Sequence, residues 1–411
     1  MSLQKTIIAA AVVLLVCFLV ANPPFANPVL KRACAGPLGD VVKPFFSVSE
    51  LYDSNLFRVK DKGQLKTLIG SDRLSDFITT YSAGASVNYI FNPGSQSIFL
   101  LGREDLFRYA HYSGLNDDQN EIRGVVTLRF LDRLTAAIEG AHAKLMEPRE
   151  DYQSPQEGTQ TKNSGAISLI YDLPSGFQAK AAARRDRVLY SIFPGRDETI
   201  KDYSGALAYA PSADGRLEIG YERIQADFDS AQFFNGLLIK SDNAGDAVKA
   251  TIYKKFSPKT ELTISGGYLW RKYDDNIRAF NGLTGSAQLN YKATGKLLLF
   301  ASAARQLYEE VYLDQFYSVN NSFTAGAEYR ITEKIKAFAS GVYLDKSFRG
   351  EESSSASGRR DNLYLFKAGV GWKPARRFSV DISSQYEIRH SSVDVFGFKD
   401  NMVEITVGYK F

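Results

Sequence analysis

From about Phe45 onward the chain repeats one pattern, with apolar residues at every second position and polar or small residues between them. In DFITTYSAGASVNYIF, Phe77, Tyr81, Ala83, Ala85, Val87, Tyr89 and Phe91 alternate with Thr80, Ser82, Gly84, Ser86 and Asn88. Leu262, Ile264, Tyr268 and Trp270 alternate in the same way with Thr263, Ser265 and Arg271. A period of two is that of a β-strand with one apolar and one wet face. No 3.6-residue pattern of helix length follows the first apolar run, so an all-β chain is expected.

The breaks between these stretches are of two kinds. NPGS, LDR, LPSG, PSADG, SPKT, ATGK, ITEK and KPAR have the residues of tight turns. Longer polar segments, such as DSNLFRVKDKGQLKTLIGSDRLS and RGEESSSASGRR, come between them. Roughly eight short turns and nine longer loops imply about 18 strands with both chain ends on the short-turn side. The strands run about 10 to 14 residues, against about 5 to 6 in soluble sheets, which is enough to cross a bilayer at a tilt. Their polar face carries Lys, Arg, Asp and Glu in mid-strand, which suits a watery lumen better than a dry core. An open sheet edge in hydrocarbon would strand its backbone groups, so the sheet must close. The last strand, NMVEITVGYKF, is then expected to pair with the first, near Phe45 to Tyr52. The fold class expected is a transmembrane antiparallel β-barrel of the bacterial outer membrane.

Composition agrees with this. The chain has 411 residues and is 44% hydrophobic, too little for a bundle of spanning helices. With 3 His and 2 Cys, and no CxxC or HExxH, no cofactor or metal centre is expected. The net charge of +4 is spread evenly, so no nucleic-acid partner is expected. Lys5 and the apolar run from Ile7 to Ala21 have the form of an export signal, with cleavage somewhere in 21–35; an uncleaved anchor is the alternative. Residues 1–35 are accordingly read as signal and leader, and 36–411 as the barrel.

The wet face supplies the candidate site. Lys180, Arg184, Lys249, Tyr253, Arg271, Lys292, Glu328, Arg330, Lys336, Lys367, Asp381, Glu387 and Arg389 all fall on it, with basic residues in excess. Such a wall can hydrate a pore, favour anions modestly and hydrogen-bond sugar hydroxyls, or can form salt bridges that fill the barrel. An enzyme is not expected. His111, His142 and His390 stand without a G-x-S-x-G nucleophile, and the adjacent carboxylates Glu104 and Asp105 point to opposite faces of their strand. The stretches IFLLGREDLFRYA and LLLFASAARQLYEE alternate less cleanly, so their register is open.

The segment FFSVSELYDSNLFRVKD, with Tyr52, Asp53, Asn55, Leu56, Phe57 and Arg58, resembles the opening of an outer-membrane β-barrel porin family. Within that group the chain is most like the proteins encoded with exopolysaccharide biosynthesis and exosortase systems (EpsL-like). Val407, Tyr409 and Phe411 resemble the terminal signal read by the barrel assembly machinery. The resemblance implies an outer-membrane protein that assists exopolysaccharide export, in contact with lipid, polysaccharide and periplasmic export components. A general diffusion or uptake porin and a plugged scaffold for an export system are the alternatives. From the residues themselves, Asp53 and Arg58 are expected to pin the first turn of the loop, with Tyr52 and Phe57 near the outer girdle.

Overall fold

A computed structural model describes residues 41–92, 96–130, 132–147, 158–234, 237–239, 241–273, 279–309, 315–350 and 358–411. The expected export signal lies outside them. The first strands are β1 (Val42–Asp53), β2 (Asp76–Asn92), β3 (Gln96–Tyr109), β4 (Asp117–Phe130), β5 (Leu134–Met146) and β6 (Thr159–Asp172). There follow β7 (Phe177–Tyr190), β8 (Glu198–Ser212), β9 (Gly215–Phe228), the short pair β10 (Gln232–Phe234) and β11 (Leu237–Ile239), and β12 (Asn243–Ser257). The rest are β13 (Thr260–Tyr273), β14 (Phe280–Lys292), β15 (Leu297–Glu309), β16 (Gln315–Arg330), β17 (Ile335–Gly350), β18 (Arg360–Ala375), β19 (Phe378–Ser391) and β20 (Phe398–Lys410). All but β10 and β11 belong to one 18-stranded antiparallel sheet.

The sheet closes on itself. β1 pairs with β20 from Phe45 opposite Lys410 to Asp53 opposite Met402, so the first and last strands meet as the chain's alternation requires. Among the described residues, the strand ends that tight turns join lie at one end of the barrel and those that longer connections join lie at the other. In the turn between β6 and β7, Ser175 (φ 61°) and Gly176 (φ 80°) take left-handed conformations. A Cβ on Gly176 would meet the Ala210 carbonyl oxygen at 2.7 Å, so the turn needs glycine for both angle and space.

The two faces divide as the pattern predicts. Leu207 (64% exposed), Ile219, Ile252, Leu283 (67%), Phe366 and Ile405 stand on the outer face. A continuous apolar surface of this extent belongs in hydrocarbon. A row of rings crosses β16, β17 and β18 where Phe323, Tyr343 and Tyr364 lie opposite one another, with the two tyrosine rings 5.2 Å apart. Aromatic residues of this kind mark the membrane interface.

The first strand-to-strand connection departs from the expected all-β pattern. The β1–β2 connection contains a helix, α1 (Lys62–Ile69), where the sequence pattern gave none. It is only 8 residues long, so its periodicity is too brief to read, and its caps define it instead. The Asp61 carboxylate accepts from the Gln64 amide at 2.9 Å, and Gly70 (φ 74°) ends the helix with its amide on the Lys66 carbonyl.

Candidate functional site

All thirteen candidate wall residues lie on the strand faces opposite the exposed apolar ones and so line the lumen. Lys180 and Arg184 come from β7, Lys249 and Tyr253 from β12, Arg271 from β13 and Lys292 from β14. Glu328 and Arg330 come from β16, Lys336 from β17, Lys367 from β18, and Asp381, Glu387 and Arg389 from β19. The wall around β7 to β12 is built from ion pairs. Glu218 bridges Lys180 at 2.7 Å and Arg216 at 2.5 Å, Lys249 pairs with Glu222, and Asp186 holds Arg184 at 2.8 Å and Lys162 at 2.9 Å. Across the lumen wall at β4 and β5, Arg123 meets Glu139 at 3.0 Å. Sequence reasoning did not select Arg123, Glu139, Lys162, Asp186, Arg216, Glu218 or Glu222. Their signal was a matching face on a neighbouring strand, legible only once the hairpin registers are known.

These pairs do not fill the lumen wall. Two adjoining cavities, of about 500 and 260 Å³, share Lys180, Glu218 and Thr251. The first adds Arg216, Tyr253 and Thr263, and the second adds Ser204, Ala206 and Gly220, whose small side chains leave the space. Hydroxyls interleaved with fixed charges make a wall able to hydrogen-bond polyhydroxylated solutes from both donor and acceptor sides.

The opposite end of the lumen, on the loop side, is narrowed. The connection from β1 turns inward, and Leu56, Phe57, Val59 and Leu65 of α1 pack against Ile78 of β2, Tyr109 of β3 and Leu115. Ile78 and Tyr109 oppose each other on the lumen face of their hairpin. Arg58 anchors this loop with its guanidinium 3.0 Å from Asp53 and 3.2 Å from Asp400, beside the Phe398 ring. Asn55 closes the turn: its side-chain nitrogen donates to the carbonyls of Val59 (2.7 Å) and Lys399 (3.0 Å), and its amide donates to Asp53 (2.8 Å). Arg58 sits at φ 53°, a conformation an arginine rarely adopts, under these combined holds. Burial works against its charge, yet the carboxylates of Asp53, Asp400 and Glu387 more than offset this and hold its pKa above the ordinary value.

Asp53 and Arg58 therefore meet as expected, and Tyr52 packs at the outer face with Phe77, ring centroids 5.1 Å apart. Phe57 does not join the girdle. Its ring is buried in the lumen-side core, edge-on to Tyr112 at 4.9 Å, because the loop turns inward and not along the membrane surface. At the tight-turn end, Val407, Tyr409 and Phe411 stand exposed on the outer face, with the last two rings in edge contact at 4.9 Å.

Among the described residues the wall has a seam between β14 and β15. β14 and β15 pair only from Lys292 opposite Leu298 to Gly285 opposite Arg305; above that, each keeps only its other neighbour. Tyr317 and Val319 share the face of the outward Phe323 on β16, yet both are buried against Tyr273 and Phe280, which belong to the lumen face of β13 and β14. The upper β15–β16 hairpin thus leans behind β14 into the lumen. Tyr273 stacks on Tyr317 at 5.5 Å, and Arg271 forms an ion pair with Glu309 across the seam.

The histidines are held by ordinary partners. His111 lies 2.8 Å from Asp76, His142 lies 2.7 Å from Asn163, and the His390 ring meets Tyr364 edge-on. Glu104 and Asp105 diverge to the outer and lumen faces, where Asp105 pairs with Arg103 at 2.8 Å. Among the described residues no group of three or more His, Cys, Asp and Glu is placed to hold a metal ion.

Residues 194–411, just over half of the chain, match the family described as "Putative beta-barrel porin 2", and the chain belongs to that family. None of the curated proteins matches. Among solved structures, the outer membrane protein OpdK from Pseudomonas aeruginosa aligns with a TM-score of 0.49 and 11% identity, over 90% of this chain and 99% of that one. OccAB3 from Acinetobacter baumannii gives 0.49 and 10%, over 90% and 99%. The siderophore receptor PirA from the same organism gives 0.46 and 8%, over 89% and 80%.

Proposed function

We propose that this β-barrel porin is a passive, non-enzymatic conduit that helps an exopolysaccharide cross the outer membrane. The observation that carries this reading is the lumen wall at β7 to β13. There Thr251, Tyr253 and Thr263 stand among the paired charges of Lys180, Arg216 and Glu218 around open cavities. A sugar chain offers many weak hydrogen bonds, and a wall of alternating donors and acceptors lets it slide without a deep trap. The likeness of the Tyr52 to Arg58 segment to proteins encoded with polysaccharide systems favours that cargo over small solutes. On this reading an export signal delivers the chain to the periplasm and the barrel assembly machinery inserts it. Periplasmic export components hand over the polymer, and its synthesis supplies the drive.

The inward loop at the mouth favours a second reading, a plugged barrel that scaffolds other export components. A secretion assay separates the two. Deletion is expected to leave polymer in the periplasm, and the wild type to restore it to the surface. Ser204→Trp with Thr251→Trp, which puts bulk on the lumen wall, fails to restore export if the barrel is a conduit. Full restoration by that variant supports the scaffold and removes the conduit.

A further inference from the structure

Where β14 and β15 part, the outer surface carries a cleft of about 330 Å³. Arg305, Asn321, Asp345, Arg349 and Arg360 line it, with Phe280, Tyr317 and Val319 forming its apolar back. We propose that this cleft binds a phosphate group of an outer-leaflet glycolipid. Three features argue for it together.

The first is level. Arg305, Asn321 and Asp345 form a cross-strand row one step above the row of Phe323 and Tyr343 on the same outer faces of β16 and β17. An aromatic row marks the edge of the hydrocarbon, so the next polar row stands among lipid headgroups. The loop-side end of an outer-membrane barrel faces the outer leaflet.

The second is charge. The described lining holds three guanidinium groups and one carboxylate. Arg360 takes up that carboxylate, with its Nε 2.7 Å from Asp345. Arg305 donates to Asn321 at 2.7 Å and to the Leu283 carbonyl at 3.2 Å, and Arg349 donates to the Phe348 carbonyl at 3.3 Å. Neither pairs with a carboxylate among the described residues. Two planar cations fixed by neutral acceptors retain donors for a phosphate, which guanidinium groups bind in a two-point fork.

The third is origin. The cleft exists because β14 loses its partner: the Leu283 carbonyl, freed from the ladder, is met by Arg305 instead. A seam in the wall of a barrel would expose backbone groups to hydrocarbon, which is costly, but at headgroup level it can accept a polar ligand.

The test uses the whole barrel purified in detergent. Native mass spectrometry would follow retention of lipid A bearing both phosphates, of lipid A stripped of phosphate, and of added inorganic phosphate as competitor. The wild type is expected to retain the phosphorylated form about tenfold better than the stripped one, and Arg305→Gln with Arg349→Gln to abolish that preference. Ser347→Glu, which puts a carboxylate into the cleft without removing a cation, is expected to do the same should the double variant fold poorly. Arg185→Gln, an exposed outward arginine on the opposite wall, is expected to change nothing. The proposal is overturned by unchanged preference in the cleft variants or by equal loss with Arg185→Gln. Displacement of the lipid by inorganic phosphate at matched concentration also overturns it, since free phosphate would then be the ligand.

Discussion

Arg58, in the loop after the first strand, forms an ion pair at 3.2 Å with Asp400, at the start of the last. The residue that folds the mouth loop inward is therefore fastened to the strand that closes the barrel. Asp400 has no exposed surface, and Asp53 on the other side of the guanidinium is nearly as buried. Closure of the sheet and narrowing of its mouth share one cation.

Arg58→Met leaves two carboxylates buried without their partner, a change that typically costs about 3 to 5 kcal/mol. The loss is expected to fall on the loop and not on the ladder, since the pairing of β1 with β20 is backbone-borne. Limited proteolysis should cut within 54–75 much faster than in the wild type, while the barrel stays heat-modifiable on gels. A loop as resistant as the wild type's would show that the apolar core alone holds it.

Phe57→Ala tests that core directly. Emptying a buried ring site costs about 3 to 5 kcal/mol, more than an isolated loop can spare. Amide exchange across α1 is expected to accelerate at least tenfold, with the strands unchanged. Exchange at the wild-type rate would contradict the packing of Phe57 among Leu65, Ile78 and Tyr109.

The lumen charges make a prediction about ions. Lys180→Glu with Lys249→Glu sets like charges beside Glu218 and Glu222, reversing the sign of the wall where the cavities lie. The reversal potential in a salt gradient is expected to move toward cation preference. An unchanged potential would place the ion path elsewhere.

The seam predicts uneven exchange along one hairpin. Above Gly285, β14 lacks its β15 neighbour, so the alternate amides that point to that side have no ladder bond, whereas below it the strand has a partner on both sides. Residues 281–283 should exchange faster than 286–291. Uniform protection would mean that the ladder is complete.

Much of this was legible in the chain. Period-two alternation placed Lys180, Lys249 and Arg271 on the lumen side because a closed sheet in a bilayer leaves only two environments, and one side chain in two must enter each. The turn residues gave the strand number for a similar reason: eight tight turns and nine longer connections leave 18 strands. What could not be read depended on distant partners. Glu218 and Glu222 gain meaning only beside Lys180 and Lys249. Helix α1 is written in two caps and one buried leucine. Phe57 looks like a girdle residue until its loop is seen to turn inward. The irregular stretch LLLFASAARQLYEE marks β15, the strand that changes environment: Ala303 faces outward in the paired half, and Leu307, on the same face, packs against the buried cluster of Tyr273, Phe280, Tyr317 and Val319.

Single-channel recording of the refolded barrel in planar bilayers, with and without polysaccharide fragments, tests the conduit most directly. A conduit is expected to show steady conductance that the fragments block reversibly and that Arg58→Met increases by loosening the mouth. A correctly folded barrel that stays silent in both the wild type and Arg58→Met would contradict it.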